Sequence, residues 1–198
     1  MTRYAQAVAA LLLALPLAGL AAAPSPAPAA ATPLPRDSVY QLALPLTDQH
    51  GRTSDWRSRR GKPQLVSMFY TSCKYICPLI VDSGKAIEHA LDANQRSRLG
   101  ILLISMDPAR DDPAALRAIA DKRKLDPQRW MLAAPRAEDV RKVAGALGIR
   151  YRQLADGEFN HTSMLVLLDA DGRILARTEQ VGSQPDPEFV AAVRRALR

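Results

Sequence analysis

The only two cysteines among 198 residues, Cys73 and Cys77, stand four positions apart in the stretch Phe69-Tyr70-Thr71-Ser72-Cys73-Lys74-Tyr75-Ile76-Cys77-Pro78. Paired thiols at this spacing offer three chemistries. One helical turn separates Cα atoms by about 6 Å, within reach of a disulfide. Such a bridge closes so short a loop that it removes little unfolded-chain entropy, so a purely structural staple would contribute less than one closing a long loop. A dithiol could instead exchange with a partner disulfide, one thiolate attacking and the other resolving the mixed disulfide. Alternatively, the thiolates could hold a soft metal. If a helix starts within this loop, its positive end favours thiolates, Lys74 adds charge, and Tyr75 and Ile76 shield the sulfurs.

A metal needs further donors. Two thiolates and an imidazole suit Cu(I), and the chain has three histidines. His50 lies in a turn beside Gly51, and His89 sits late in a helix, where dipole interaction or solvation accounts for it. His161, in Phe159-Asn160-His161-Thr162, directly precedes an apolar strand and can stand at the rim of a sheet. Met68, Met106 and Met164 are soft donors in principle, but their apolar surroundings point to core packing.

The elements that must position these groups follow from periodicity. Strands are predicted over Tyr40 to Leu46, with Thr47 to Gly51 as its turn, and over Gln64 to Tyr70, Leu99 to Met106 and Trp130 to Ala133. Ile149 to Leu154 is extended. Met164 to Asp169 and Arg173 to Glu179 form a hairpin around Ala170-Asp171-Gly172. Helices are predicted from the cysteine loop to about Leu91, with Ile80, Gly84, Ile87 and Leu91 on one face, from Pro113 to Lys124 behind an Asp112 cap, from Ala137 to Leu147 with Gly148 as stop, and from Pro187 to Leu197 behind Asp186. This order implies an α/β fold of the thioredoxin-like kind, a central mixed sheet flanked by helices with an added β-hairpin.

The N-terminus reads as an export signal. Arg3 supplies a positive charge, Val8 to Leu20 is an apolar core and Ala21-Ala22-Ala23 offers a cleavage site; an uncleaved membrane anchor over Ala5 to Ala23 is the competing reading. Leu20 stands where a lipoprotein box would need its acylated cysteine. Pro24 to Pro35 is nearly all Pro, Ala, Ser and Thr, an extended tether of roughly 35–40 Å. The organisation is therefore residues 1–23 as signal peptide or anchor, 24–38 as tether and 39–198 as one folded domain. The formal charge of +7 is spread among acidic neighbours and not interleaved with aromatics, which argues against nucleic-acid binding. Membrane contact is confined to the N-terminal segment if it stays uncleaved.

Three motifs resemble, in order, those of the Sco/SenC family of copper chaperones: Ser67 to Pro78, Ser105-Met106-Asp107-Pro108-Ala109-Arg110-Asp111-Asp112-Pro113, and His161-Thr162-Ser163 with Leu167-Leu168-Asp169-Ala170-Asp171-Gly172. The resemblance runs from about Val39 to Leu197. It implies a thioredoxin-like, non-enzymatic copper-binding chaperone of the bacterial periplasm, soluble or tethered to the inner membrane, that serves the CuA site of cytochrome c oxidase. By position, Cys73, Cys77 and His161 would be the metal ligands, for Cu(I) with Cu(II) as the alternative, and Cys73 and Cys77 would also form the redox-active disulfide. Partners implied are the CuA-bearing oxidase subunit, a copper donor and a thioredoxin-like reductant. Asp107 would be an accessory acidic residue, although shaping the turn before Pro108 explains it as well. Lys74-Tyr75 departs from the small, Pro- or acid-containing pair of many members, which bears on partner surface and affinity. The alternative function is a thiol-disulfide oxidoreductase. The Thr71-Ser72-Cys73 approach raises a third reading, a peroxidase of the peroxiredoxin type.

Overall fold

Two mostly apolar runs, the first broken by Ser67, form the middle of the molecule. β3 (Gln64–Phe69) and β4 (Gly100–Ser105) are buried at every residue, as strands covered on both faces must be. A computed structural model of the chain describes residues 33–198; the signal-or-anchor segment and the start of the tether lie outside the described residues. β3 and β4 pair in parallel, and β4 pairs in parallel with β5 (Trp130–Pro135). β8 (Leu165–Leu168) runs antiparallel to β3 and carries β9 (Ile174–Thr178) as the next strand. On the far side β1 (Pro45–Asp48) runs antiparallel to β5 and pairs with β2 (Thr53–Asp55). The result is a seven-stranded mixed sheet in the order β2-β1-β5-β4-β3-β8-β9. This is the thioredoxin-like α/β arrangement expected of the sequence.

Helices α1 (Ile76–His89), α2 (Ala93–Arg98), α3 (Pro113–Lys122), α4 (Val140–Leu147) and α5 (Pro187–Ala196) complete the fold. Their ends follow local chemistry. Asp112 accepts from Ala115 N–H at 2.8 Å ahead of Pro113, a side-chain cap before a residue with no N–H to satisfy. Asp186 does the same for α5 while also accepting from Thr178 Oγ1 at 2.9 Å. Gly148, at φ 74°, ends α4 in the left-handed conformation, which glycine adopts without a Cβ clash. Gly84 has a different reason: a Cβ there would lie 2.4 Å from Trp130 Cη2, so the bare backbone lets α1 settle onto β5.

Several boundaries differ from the sequence reading. Tyr40 to Leu46 is not one strand. Val39–Gln41 is a 3-10 turn capped by Ser38, and β1 begins only at Pro45. Tyr40 is drawn inward, its ring edge-on to Trp56 at 5.8 Å, so burial against a distant aromatic overrides strand propensity. The predicted helix from Ala137 opens as a 3-10 turn, Ala137–Asp139, before α4 proper. Ile149 to Leu154 contains only the short strand β6 (Tyr151–Gln153), which pairs with β7 (Phe159–His161) in a separate two-stranded sheet.

Candidate metal centre

The cysteine loop occupies the connection from the end of β3 into α1. Tyr75 at the N-cap provides no side-chain cap, leaving N–H groups of the first turn in need of acceptors. Cys73 Sγ supplies one, accepting from Cys77 N–H at 3.4 Å. The two sulfurs therefore differ. Cys73 lies in the loop and is half-buried, whereas Cys77 sits in the first turn of α1 and is only 5% exposed; both are free thiols. Burial pushes both thiols up. At Cys73, hydrogen bonds from the N–H groups of Cys77, Tyr75 and Ile76 outweigh burial and lower the pKa. At Cys77 burial wins, with the charge of Cys73 and of Asp111 adding to it, and the thiol is pushed well above its ordinary range. The helix start thus favours a thiolate on one sulfur only.

Asp111 anchors this loop from the connection between β4 and α3. It is 1% exposed. Its carboxylate accepts from Thr71 N–H at 3.1 and 3.2 Å, Thr71 Oγ1 at 2.5 Å and Ser105 Oγ at 2.6 Å. Burial raises its pKa despite these donors. Asp107, the acidic residue singled out by the motif, instead pairs with Arg110, receives an N–H bond from the backbone of neither sulfur-bearing residue, and shapes the turn by accepting from Arg110 and Asp111 N–H at 3.0 and 2.9 Å through its carbonyl. Sequence reasoning passed over Asp111; its only signal was its place in the same motif.

His161 ends β7. Its Nδ1 lies 3.2 Å from the Thr162 carbonyl, and since a carbonyl only accepts, Nδ1 carries the proton and Nε2 keeps its lone pair. That Nε2 is buried without a hydrogen-bond partner. Burial lowers the imidazole pKa, partly opposed by the Thr162 carbonyl. The neutral tautomer with a free Nε2 is the form that ligates metals.

Tyr70 lies between the two parts. Its ring meets the His161 ring edge-on at 6.0 Å and the Phe159 ring at 5.1 Å. Its hydroxyl donates to Glu158 Oε2 at 2.9 Å. The cysteines line one groove of about 480 Å³, while His161 lines a neighbouring recess of about 560 Å³ that it shares with Ile76. The structure does not gather the sulfurs and the imidazole into one cluster: among the described residues no three His, Cys, Asp or Glu side chains stand close enough to hold a metal. The expected shielding by Tyr75 is also corrected, because its side chain is 86% exposed; the loop turns the ring outward as the backbone enters α1. His50 and His89 are exposed, and Met68, Met106 and Met164 are core residues at 1, 2 and 5% exposure.

The SCO1/SenC family model matches residues 36–198. An SCO2-like protein of Rickettsia typhi is 27% identical over 139 residues, spanning 67% of this chain and 66% of its own. Among solved structures, Bradyrhizobium japonicum ScoI with copper bound superposes with a TM-score of 0.66 at 25% identity, covering 78% of this chain and 98% of that one. BsSco, described with a disulfide switch as a member of the Sco family of cytochrome c oxidase assembly proteins, has a TM-score of 0.66 at 20% identity over 79% of this chain and 92% of its own.

Proposed function

This chain belongs to the SCO1/SenC family, and from that premise we propose that it binds copper as cargo through Cys73, Cys77 and His161 and hands it to the CuA-bearing subunit of cytochrome c oxidase. The single observation that carries the ligand set is the buried, unpartnered Nε2 of His161, its tautomer set by the Thr162 carbonyl, on a hairpin that packs against the strand leading to the free thiols. The soft thiolates select Cu(I), and the imidazole completes a three-donor set that a target can displace by ligand exchange. Joint ligation requires the imidazole and the sulfurs, which line adjoining recesses in the copper-free chain, to draw together. Copper binds only while both sulfurs are reduced. Support for the assignment comes from the copper-bound ScoI structure and from the description of BsSco's family as oxidase assembly proteins. The apolar N-terminal segment of the sequence supports export to the periplasm, where the protein is soluble or tethered. Among the described residues no helix is long and apolar enough to cross a membrane.

A second reading, reduction of a partner disulfide, is favoured by the asymmetry of the thiols. The Cys73 thiolate attacks the partner disulfide and releases one partner thiolate. Cys77 then gives up its proton and attacks Cys73 Sγ, releasing the second partner thiolate and leaving a Cys73–Cys77 disulfide; two electrons pass to the partner.

Copper stoichiometry and affinity of the reduced chain test the first reading. One Cu(I) per chain is expected. His161→Ala should weaken binding by at least about 100-fold, since losing even a ligand's outer partner costs about 10–100-fold, while both thiols stay titratable. Unchanged affinity in that variant would remove His161 from the site.

A further inference from the structure

The hairpin that carries His161 has a second edge that the copper reading does not use. Arg150, Arg152 and Leu154 turn their main-chain groups toward β7, as the bonds from Thr162 N–H to Arg150 O at 2.9 Å and from Leu154 N–H to Glu158 O at 2.7 Å establish. By the alternation of an antiparallel ladder, the N–H and C=O groups of Tyr151 and Gln153 point the other way. Among the described residues they have no hydrogen-bond partner. Both residues line a groove of about 740 Å³ shared with α4, whose apolar lining includes Val140, Ala144 and Ile149.

Cations rim this groove. Arg150 and Arg152 flank the open edge, and Arg141 stands opposite on α4. All three are exposed, and among the described residues none makes a side-chain hydrogen bond or ion pair. The acidic wall residue, Asp107, is engaged by Arg110. Arg150 and Arg152 also line the recess of His161.

We propose that β6 is a docking strand for an extended acidic segment of a partner protein, which adds antiparallel or parallel to the Tyr151–Gln153 edge and places its carboxylates against Arg141, Arg150 and Arg152. Unpaired edge groups supply the main-chain bonds, the apolar floor takes alternate side chains, and the arginines set the sign of the sequence accepted. The same arginines disfavour a second copy of this chain, whose β6 would bring arginine against arginine. The docking rests on the copper-delivery reading only for its purpose: a segment seated there lies beside His161.

The test uses the reduced full chain and a short fluorescent peptide alternating glutamate and leucine, read by anisotropy. Saturable binding is expected, weakened about tenfold by Arg150→Glu with Arg152→Glu, which removes two cross-strand charge pairs and adds repulsion. Arg141→Glu should weaken it about threefold and leave copper stoichiometry unchanged. N-methylation of the peptide on alternate residues should abolish binding. No saturable binding, equal binding of a lysine–leucine peptide, or equal binding of the N-methylated peptide each overturns the proposal. So does self-association through this edge, or binding of phosphatidylglycerol vesicles in place of the peptide. Copper is measured on the same samples. Peptide binding without copper binding would sink the copper reading and leave the docking strand, and copper binding without peptide binding would do the reverse.

Discussion

Replacing Asp111 with alanine removes the acceptor for Thr71 N–H, Thr71 Oγ1 and Ser105 Oγ at once. Each buried donor left without an acceptor costs about 1–3 kcal/mol, and bonds to a charged group lie at the upper end. The two hydroxyls can rotate toward other acceptors, but the Thr71 N–H cannot, so the sum comes to roughly 3–5 kcal/mol, the range for breaking a buried network. For a domain of this size about 2–4 °C of Tm is lost per kcal/mol, giving a fall of about 10 °C. Asparagine behaves differently. It keeps one acceptor oxygen and relieves the burial of charge that raises the Asp111 pKa, so Asp111→Asn should lose only about half as much stability. Circular-dichroism melts of the copper-free chain give the ranking, and Cu(I) competition with a chelator gives the consequence for the site, because the loosened Thr71 lies two residues before Cys73. An alanine variant within about 1 kcal/mol of the parent, or an asparagine variant as damaged as alanine, would refute the view that this carboxylate holds the loop.

Iodoacetamide at neutral pH should label Cys73 faster than Cys77 by about tenfold or more, because Cys73 is half-exposed with a lowered pKa while Cys77 is buried with a raised one; peptide mapping after partial reaction reads the order, and labelling of Cys77 first would contradict the assigned asymmetry. Burial holds the folded-state pKa of His161 below its ordinary 6.5, so the unfolded chain takes up a proton that the folded chain resists, and stability of the copper-free form should fall as pH drops below that value. Urea midpoints across this window should fall less in His161→Gln; identical slopes would show that the imidazole titrates freely. Gly84→Ala should lower the denaturant midpoint, since a Cβ 2.4 Å from Trp130 overpacks the contact by about 1–3 kcal/mol against a helix-propensity gain of at most about 1.

How much of this was legible in the sequence varies with what determines each element. The central strands and α1, α3 and α5 were readable because their apolar spacing and caps are local. β2 was not, since Thr53–Asp55 carries no apolar pattern and is a strand only because β1 pairs with it. α2 buries none of its residues and so has no periodicity to find, although Asp92 and Gln95 form a capping box that was there to be noticed. The cysteines announced themselves by type and spacing. His161 was one histidine of three until the family's motif pointed to it, and only the structure gives it a buried free nitrogen. Asp111 shows the opposite case: its importance comes from groups 40 and 6 residues away, a relation no local pattern expresses.

His161 belongs to the small β6–β7 sheet, whereas both cysteines belong to the junction of the large sheet with α1. The proposed ligands therefore come from two separate sheets, and the affinity of the proposed site would report on how one is held against the other. The hairpin contributes no strand to the seven-stranded ladder, but Tyr151 and Phe159 pack against the core and Phe159 meets the Tyr70 ring at 5.1 Å, so only its exposed positions are free to vary. A library confined to the exposed positions Arg152, Gln153, Leu154, Ala155 and Asp156 would vary how the proposed imidazole ligand is presented while sparing the contacts that hold the hairpin to the core.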